Sequence, residues 1–147
     1  MKTISSVIFL SFLVLILLVT PVIGSDWIEY DRDKDGNVWS YLKVNSKKEV
    51  GKYMVQVCEK EVYSDIGREK QIQLRSSFGL STEGWDKLSY DLYFSKIDCK
   101  KRRKILLSTI TYNANDEQLY NVSIDKSKWR HAIPDSKDEK LLKKVCE

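Results

Sequence analysis

From Leu88 to Ser95 the chain alternates apolar and polar residues with a period of two. Leu88, Tyr90, Leu92 and Phe94 fall on one side; Ser89, Asp91 and Ser95 fall on the other. Successive side chains of an extended strand point to opposite faces, so this pattern specifies a strand with one face toward a core and one toward water. The strand spans Trp85–Asp98 and meets Cys99 and a basic turn, Lys100-Lys101-Arg102-Arg103-Lys104. Ile105–Tyr112 then runs back, Asn113-Ala114-Asn115-Asp116 turns again, and Gln118–Ile124 returns. Strands joined by turns this short must pair antiparallel, which makes this part of the chain a three-stranded meander.

The flanking segments extend the sheet. Trp27–Tyr30 and Val38–Val44 are rich in aromatic and β-branched residues. The polar link Asp31–Asn37 between them carries Asp35-Gly36, a pair suited to positive φ in a hairpin turn. Tyr53–Tyr63 reads as a further strand, with Tyr53, Val55 and Val57 on one face and Gln56 and Lys60 on the other. Ser64–Gly67 breaks it, and Arg68–Phe78, free of Pro and Gly, is expected to be helical. Near the end, Trp129–Ser136 reads as a loop, because Pro134 disfavours helix before it. Ser136 caps a last helix with Glu139 three residues on, and Leu141, Leu142 and Val145 form its apolar face. The expected class is α+β: a mostly antiparallel sheet of about six strands, one middle helix and a C-terminal helix.

The first 24 residues are expected to stand outside that fold. A positive start, Met1-Lys2, precedes an apolar run from Val7 to Ile23, broken by Pro21. This is the plan of a secretory signal cleaved after Gly24. Ser25 occupies the place where a lipoprotein needs cysteine. Residues 25–147 then suffice for one domain with one modest core. The formal net charge of +4 includes Lys2 and is too small to argue for nucleic acid. No second apolar stretch is long enough to span a membrane. The expected compartment is periplasmic, cell-surface or secreted.

In such a compartment three cysteines admit three single pairings. Cys99–Cys146 is the expected one, because each sits at the end of an element. Cys58 lies inside a strand-like run and would remain a small buried hydrophobe, or else bridge two chains.

Catalytic chemistry finds little support. His131, the only histidine, has no nucleophile signature near it, and a zinc site needs more His or Cys ligands than remain. Asp31, Asp33 and Asp35 stand at the first three ligand offsets of a calcium loop, with Gly36 at its turn. The twelfth position is Leu42 instead of Glu, so the triplet reads as a solvated turn. No metal, cofactor or catalytic residue is expected. The one candidate binding patch is Lys100, Lys101, Arg102, Arg103 and Lys104, which would face an anionic surface or an acidic protein.

A set of landmarks recurs in order: Trp27; Gly36-Asn37 with Trp39 and Tyr41; Leu88-Ser89-Tyr90; Ile97-Asp98-Cys99; Ile105-Leu106 running to Thr111-Tyr112; Trp129; Ile133–Ser136; Leu142; Val145-Cys146. Together they resemble the surface-adhesin protein E-like family of bacterial exported proteins, over nearly all of residues 25–147. The resemblance implies a mostly antiparallel sheet with helix packed on it and a bridged late cysteine pair. Its namesake is a lipid-anchored surface adhesin that engages host proteins. Ser25 departs from that anchor, and Cys58 is additional to the pair. The resemblance implies a non-catalytic, exported binding module whose partner is a protein or an anionic surface polymer. The alternative is an envelope assembly protein, homodimeric through a sheet edge or Cys58.

Overall fold

The computed structural model describes residues 26–43 and 53–147. The leader and its cleavage point, Gly24–Ser25, lie outside the described residues. Five strands follow with one helix between them: β1 (Ile28–Arg32), β2 (Val38–Lys43), β3 (Met54–Val62), helix α1 (Asp65–Ser77), β4 (Leu88–Asp98) and β5 (Arg103–Asn113). β6 (Gln118–Ser123), a two-residue β7 (Arg130–His131) and α2 (Lys137–Cys146) complete the described chain. The sheet order is β1-β2-β3-β4-β5-β6, every pair antiparallel, with β7 also pairing to β5. Chain order equals sheet order from β1 to β6; short turns join β4 to β5 and β5 to β6, while α1 lies between the neighbouring strands β3 and β4.

α2 packs across one face of this sheet. Its Leu141, Leu142 and Val145 meet Tyr41, Val57 and Ile97 in the principal apolar cluster. Ser136 caps α2 by accepting from the Glu139 N–H at 3.2 Å. Glu139 reaches back to the Asp135 N–H at 2.7 Å, one residue before the position a capping box uses. Cys146, the last residue of α2, is bonded to Cys99 in the β4–β5 turn, so the helix is fixed at its far end to the sheet. Lys140 pairs with Asp31 of β1 at 2.5 Å.

α1 begins three residues earlier than its composition suggests. Ser64 is its N-cap and accepts from Gly67 N–H at 3.0 Å, placing Gly67 in the first turn. A glycine there would ordinarily weaken a helix. Here a Cβ on Gly67 would lie 2.0 Å from Asn37 Oδ1. That oxygen accepts the Ser64 N–H at 3.0 Å, so Asn37 docks the helix start and only glycine leaves room. α1 then packs through Ile72 on a second cluster of Tyr63, Trp85 and Leu88.

The faces of β4 reverse one expectation. Asp91 and Ser95, assigned to water, are buried at 9% and 1% exposure, while Leu92 and Phe94, assigned to the core, are half-buried. Leu88 is buried as expected. The polar side is the one α2 covers, because it continues Ile97 and lies beside Val57, Glu59 and Glu61 of β3. A bulge in β5 reinforces this. The register shifts between Phe94 and Ser95, pairing Ser108 with Phe94 and Leu106 with Ser95. Lys104 and Leu106 thus share a face with Thr109 and Thr111, which simple alternation forbids.

Candidate functional site

Beside the start of α2 this covered face opens into a cleft of about 430 Å³. Its floor is built by the sheet: Trp39 from β2, Glu59 and Glu61 from β3, Tyr93 from β4, Lys104 and Leu106 from β5. Its roof is Arg130 of β7 and the first turn of α2, Ser136 to Asp138. Such a volume lies in the range of small-molecule sites, ~300–1,000 Å³.

The floor is charged yet buried, and its groups answer one another. Glu59 is fully buried; Lys104 Nζ approaches its two oxygens at 2.7 and 2.9 Å. The Tyr30 hydroxyl donates to Glu59 at 2.8 Å. Burial, and then the Glu59 charge, push the Tyr30 phenol far above its ordinary pKa. Lys104 also meets Asp138 at 2.8 Å, tying β5 to the start of α2. Burial pushes the Asp138 carboxyl up, but Lys104, Arg130 and Lys137 outweigh it and hold the group below its ordinary value.

A second polar group adjoins the first. Glu61 accepts from Asn37 Nδ2 at 3.0 Å and from the Tyr93 hydroxyl at 2.7 Å. Asp91 accepts from Tyr63 at 2.9 Å and Tyr93 at 3.1 Å, and Tyr63 is also 3.3 Å from Glu61. The hydroxyls of Tyr63 and Tyr93 thus link the two carboxylates, and the Thr111 hydroxyl also serves Asp91. Burial raises both acids; the Asp91 charge adds to the rise of Glu61, while Tyr93, Lys137 and Asn37 oppose it.

Lys137 differs from its neighbours. Its ammonium lies 2.9 Å from the centroid of the Trp39 ring, itself stacked on Tyr93 with centroids 5.3 Å apart. Burial, then nearby Lys104, lower its pKa.

The basic turn is less uniform than its sequence. Lys100, Lys101 and Arg102 are exposed, and Arg102 pairs with Glu139 at 3.1 Å. Arg103 is half-buried between Asp98, at 3.0 Å, and the Trp129 ring, 4.6 Å away. Lys104 does not share that surface. The turn ends at Arg102, β5 begins at Arg103, and Lys104 on that strand points inward to Glu59. The Asp triplet is likewise dispersed: Asp31 pairs with Lys140, Asp35 with Lys70, and Asp33 accepts the Asp35 and Asn37 N–H groups within the turn. Among the described residues no group of three His, Cys, Asp or Glu side chains is arranged to hold a metal ion. His131 is exposed on β7, opposite Arg103. Cys58 is buried, with burial and then Glu59 pushing its thiol up to about 11, so it offers no surface sulfur for a bridge between chains.

Clusters of charge or of ligand-type residues in the sequence do not single out Glu59, Glu61 or Lys137. One signal is present: Val55, Val57, Glu59, Glu61 and Tyr63 share one parity, so two acids continue the core-facing row of β3.

No curated protein matches the sequence. The solved structure of Haemophilus influenzae protein E resembles the fold with a TM-score of 0.44 and 13% identity, over 84% of this chain and 86% of that one. The sequence profile of the family described as Surface-adhesin protein E matches residues 27–147, well over half of the chain, and the protein belongs to that family.

Proposed function

We propose that the protein is an exported, non-catalytic binding module of the bacterial surface, adhesin-like in use. The observation that carries this reading is the match to the surface-adhesin family across residues 27–147. The architecture is compatible with it: the bonded pair Cys99–Cys146 suits an oxidising compartment. Among the described residues no helix is long and apolar enough to cross a membrane. The contact surface in this reading is the exposed part of the basic turn, Lys100, Lys101 and Arg102, which would meet an acidic protein or an anionic polymer.

Retention of the purified protein on immobilised host matrix proteins, and on a heparin-type polymer, tests this. Retention is expected in low salt and should fall when Lys100, Lys101 and Arg102 are changed to Glu. Retention that survives both that change and high salt would rule out the turn as the contact. Failure to be retained on any of these surfaces would count against the adhesin reading itself.

A further inference from the structure

Two cationic side chains of the cleft, Lys137 and Arg130, have hydrogen-bonding capacity that the described residues do not use. Lys104 shows the contrast: its ammonium is gripped by Glu59 and Asp138 at 2.7–2.9 Å. Lys137, half-buried in the same cleft, has no carboxylate oxygen within 4.0 Å and no hydrogen-bond acceptor among the described residues; its ammonium rests on the face of Trp39. An ammonium carries three donors, and a ring face does not replace oxygen acceptors for them. The acids around it are already engaged. Glu59 holds Lys104, Tyr30 and Ser95, and Glu61 holds Asn37, Tyr93 and Tyr63. At the mouth of the same cleft, Arg130 is 65% exposed and makes only a 3.9 Å contact, to Asp138.

We propose that the cleft is a binding site for a small carboxylate-bearing ligand, whose anionic group is received by Lys137 and Arg130. The lining carries three acids and three bases, so the choice of an anion over a cation rests on which of them already have partners. A cation would have to displace Lys137 from Trp39 and then compete for carboxylates that already have partners. A carboxylate supplies the oxygen acceptors Lys137 lacks and can accept a forked contact from the Arg130 guanidinium. The space of about 430 Å³ admits a body of sugar or amino-acid size beside Leu106. Burial, and the neighbouring Lys104, already depress the basicity of Lys137, so an arriving negative charge relieves an existing cost. This site is separate from the exposed turn and does not depend on the adhesin reading.

Two sources offer the same chemistry: a sugar acid and an acylated amino acid. The purified protein is titrated with N-acetylneuraminic acid, glucuronic acid and N-acetylglutamate, following tryptophan fluorescence and chemical shifts of the Trp39 indole. Methyl glucoside and lysine methyl ester serve as neutral and cationic probes. At least one acid is expected to bind, with a dissociation constant about 10-fold or more weaker in Lys137→Gln, as loss of a charge-assisted hydrogen bond implies. Arg130→Gln, an exposed change that spares the fold, should weaken the same acid. The acid that binds identifies the source. Absence of binding by all three acids, binding unaffected by both substitutions, or preference for lysine methyl ester would each overturn the proposal.

Discussion

Lys104 Nζ lies 2.7 Å from Glu59 Oε2, with the two side chains 6% and 0% exposed. This ion pair lies on the sheet face that α2 covers, and it joins β3, β5 and, through Asp138, the start of that helix. Removing one member of a buried pair strands the other charge, at a cost of about 3–5 kcal/mol. Lys104→Met should therefore destabilise the protein by that order. Glu59→Gln combined with Lys104→Met should recover a large part of the loss. Urea unfolding of the two single variants and the double variant checks it; additive losses would show that the two groups do not act as a pair.

The bond between Cys99 and Cys146 closes a loop of 47 residues by sequence separation. On chain-entropy grounds such a loop is worth about 4 kcal/mol. Cys99→Ser should lower the unfolding midpoint and free α2 first, because Cys146 is its final residue. Limited proteolysis should then cut the C-terminal segment early; a C-terminus as resistant as that of the wild type would contradict this.

The carboxyl pair Glu61 and Asp91 sets a pH dependence of definite sign. Burial raises both pKa values, so both groups bind protons more tightly folded than unfolded. Their contribution to stability is fully present below the ordinary carboxylate pKa of about 4, and is lost as pH rises through the raised values. Asp138 is held low instead, so its contribution is lost only on acidification below its unfolded value. Stability should therefore decline with pH above about 4 on account of Glu61 and Asp91. Glu61→Gln and Asp91→Asn should each flatten that decline, read from urea midpoints at successive pH values. An unchanged slope in both variants would remove the pair as its origin.

Gly67→Ala reverses the usual rule for a helix. Alanine favours a helix interior by about 1 kcal/mol over glycine. At this position its Cβ would collide with Asn37 Oδ1, and the overpacking should cost about 1–3 kcal/mol net. Thermal unfolding of Gly67→Ala, alone and with Asn37→Ala, measures it. A stabilised Gly67→Ala would mean that Asn37 moves aside freely.

Cys58 should be inert in the folded protein. Its thiol is buried and pushed up to about 11, leaving about one thiolate in a thousand at pH 8. A disulfide reagent should react with it at the rate of unfolding, and a non-reducing gel should show no Cys58-linked dimer. Rapid stoichiometric labelling under native conditions would show the site to be open.

Much of the architecture is legible in the residues themselves. The three strands around Cys99 and Asn113 and the capped last helix follow from local signals: a two-residue period, short turns, and a Ser136–Glu139 cap. These depend on neighbours in sequence, which a sequence displays. The pairing of Cys99 with Cys146 is expected from their places at the ends of elements and is the bond the structure holds. Composition reveals α1 but places its start too late, because Gly67 reads as a breaker until Asn37 is seen against it. The cleft has no such local signature. Its members come from β2, β3, β4, β5, β7 and the start of α2, and only the run from Ser136 to Asp138 is contiguous in sequence.

The sequence by itself therefore determined most of the elements and the antiparallel pairing of the meander, set by local backbone preference and short connections; Arg130–His131 reads as loop, where the structure forms β7 against β5. Only the tertiary structure decided which face of the sheet is covered. Alternation shows that a strand has two faces, but a polar face can be buried once its charges find partners on other strands. Lys104 makes the point. In the sequence it is the fifth cation of an exposed-looking turn; on β5, across from Ile97, it becomes the buried partner of Glu59. That pairing depends on the register of β5 against β4 and on Glu59 of β3, 45 positions away in the sequence.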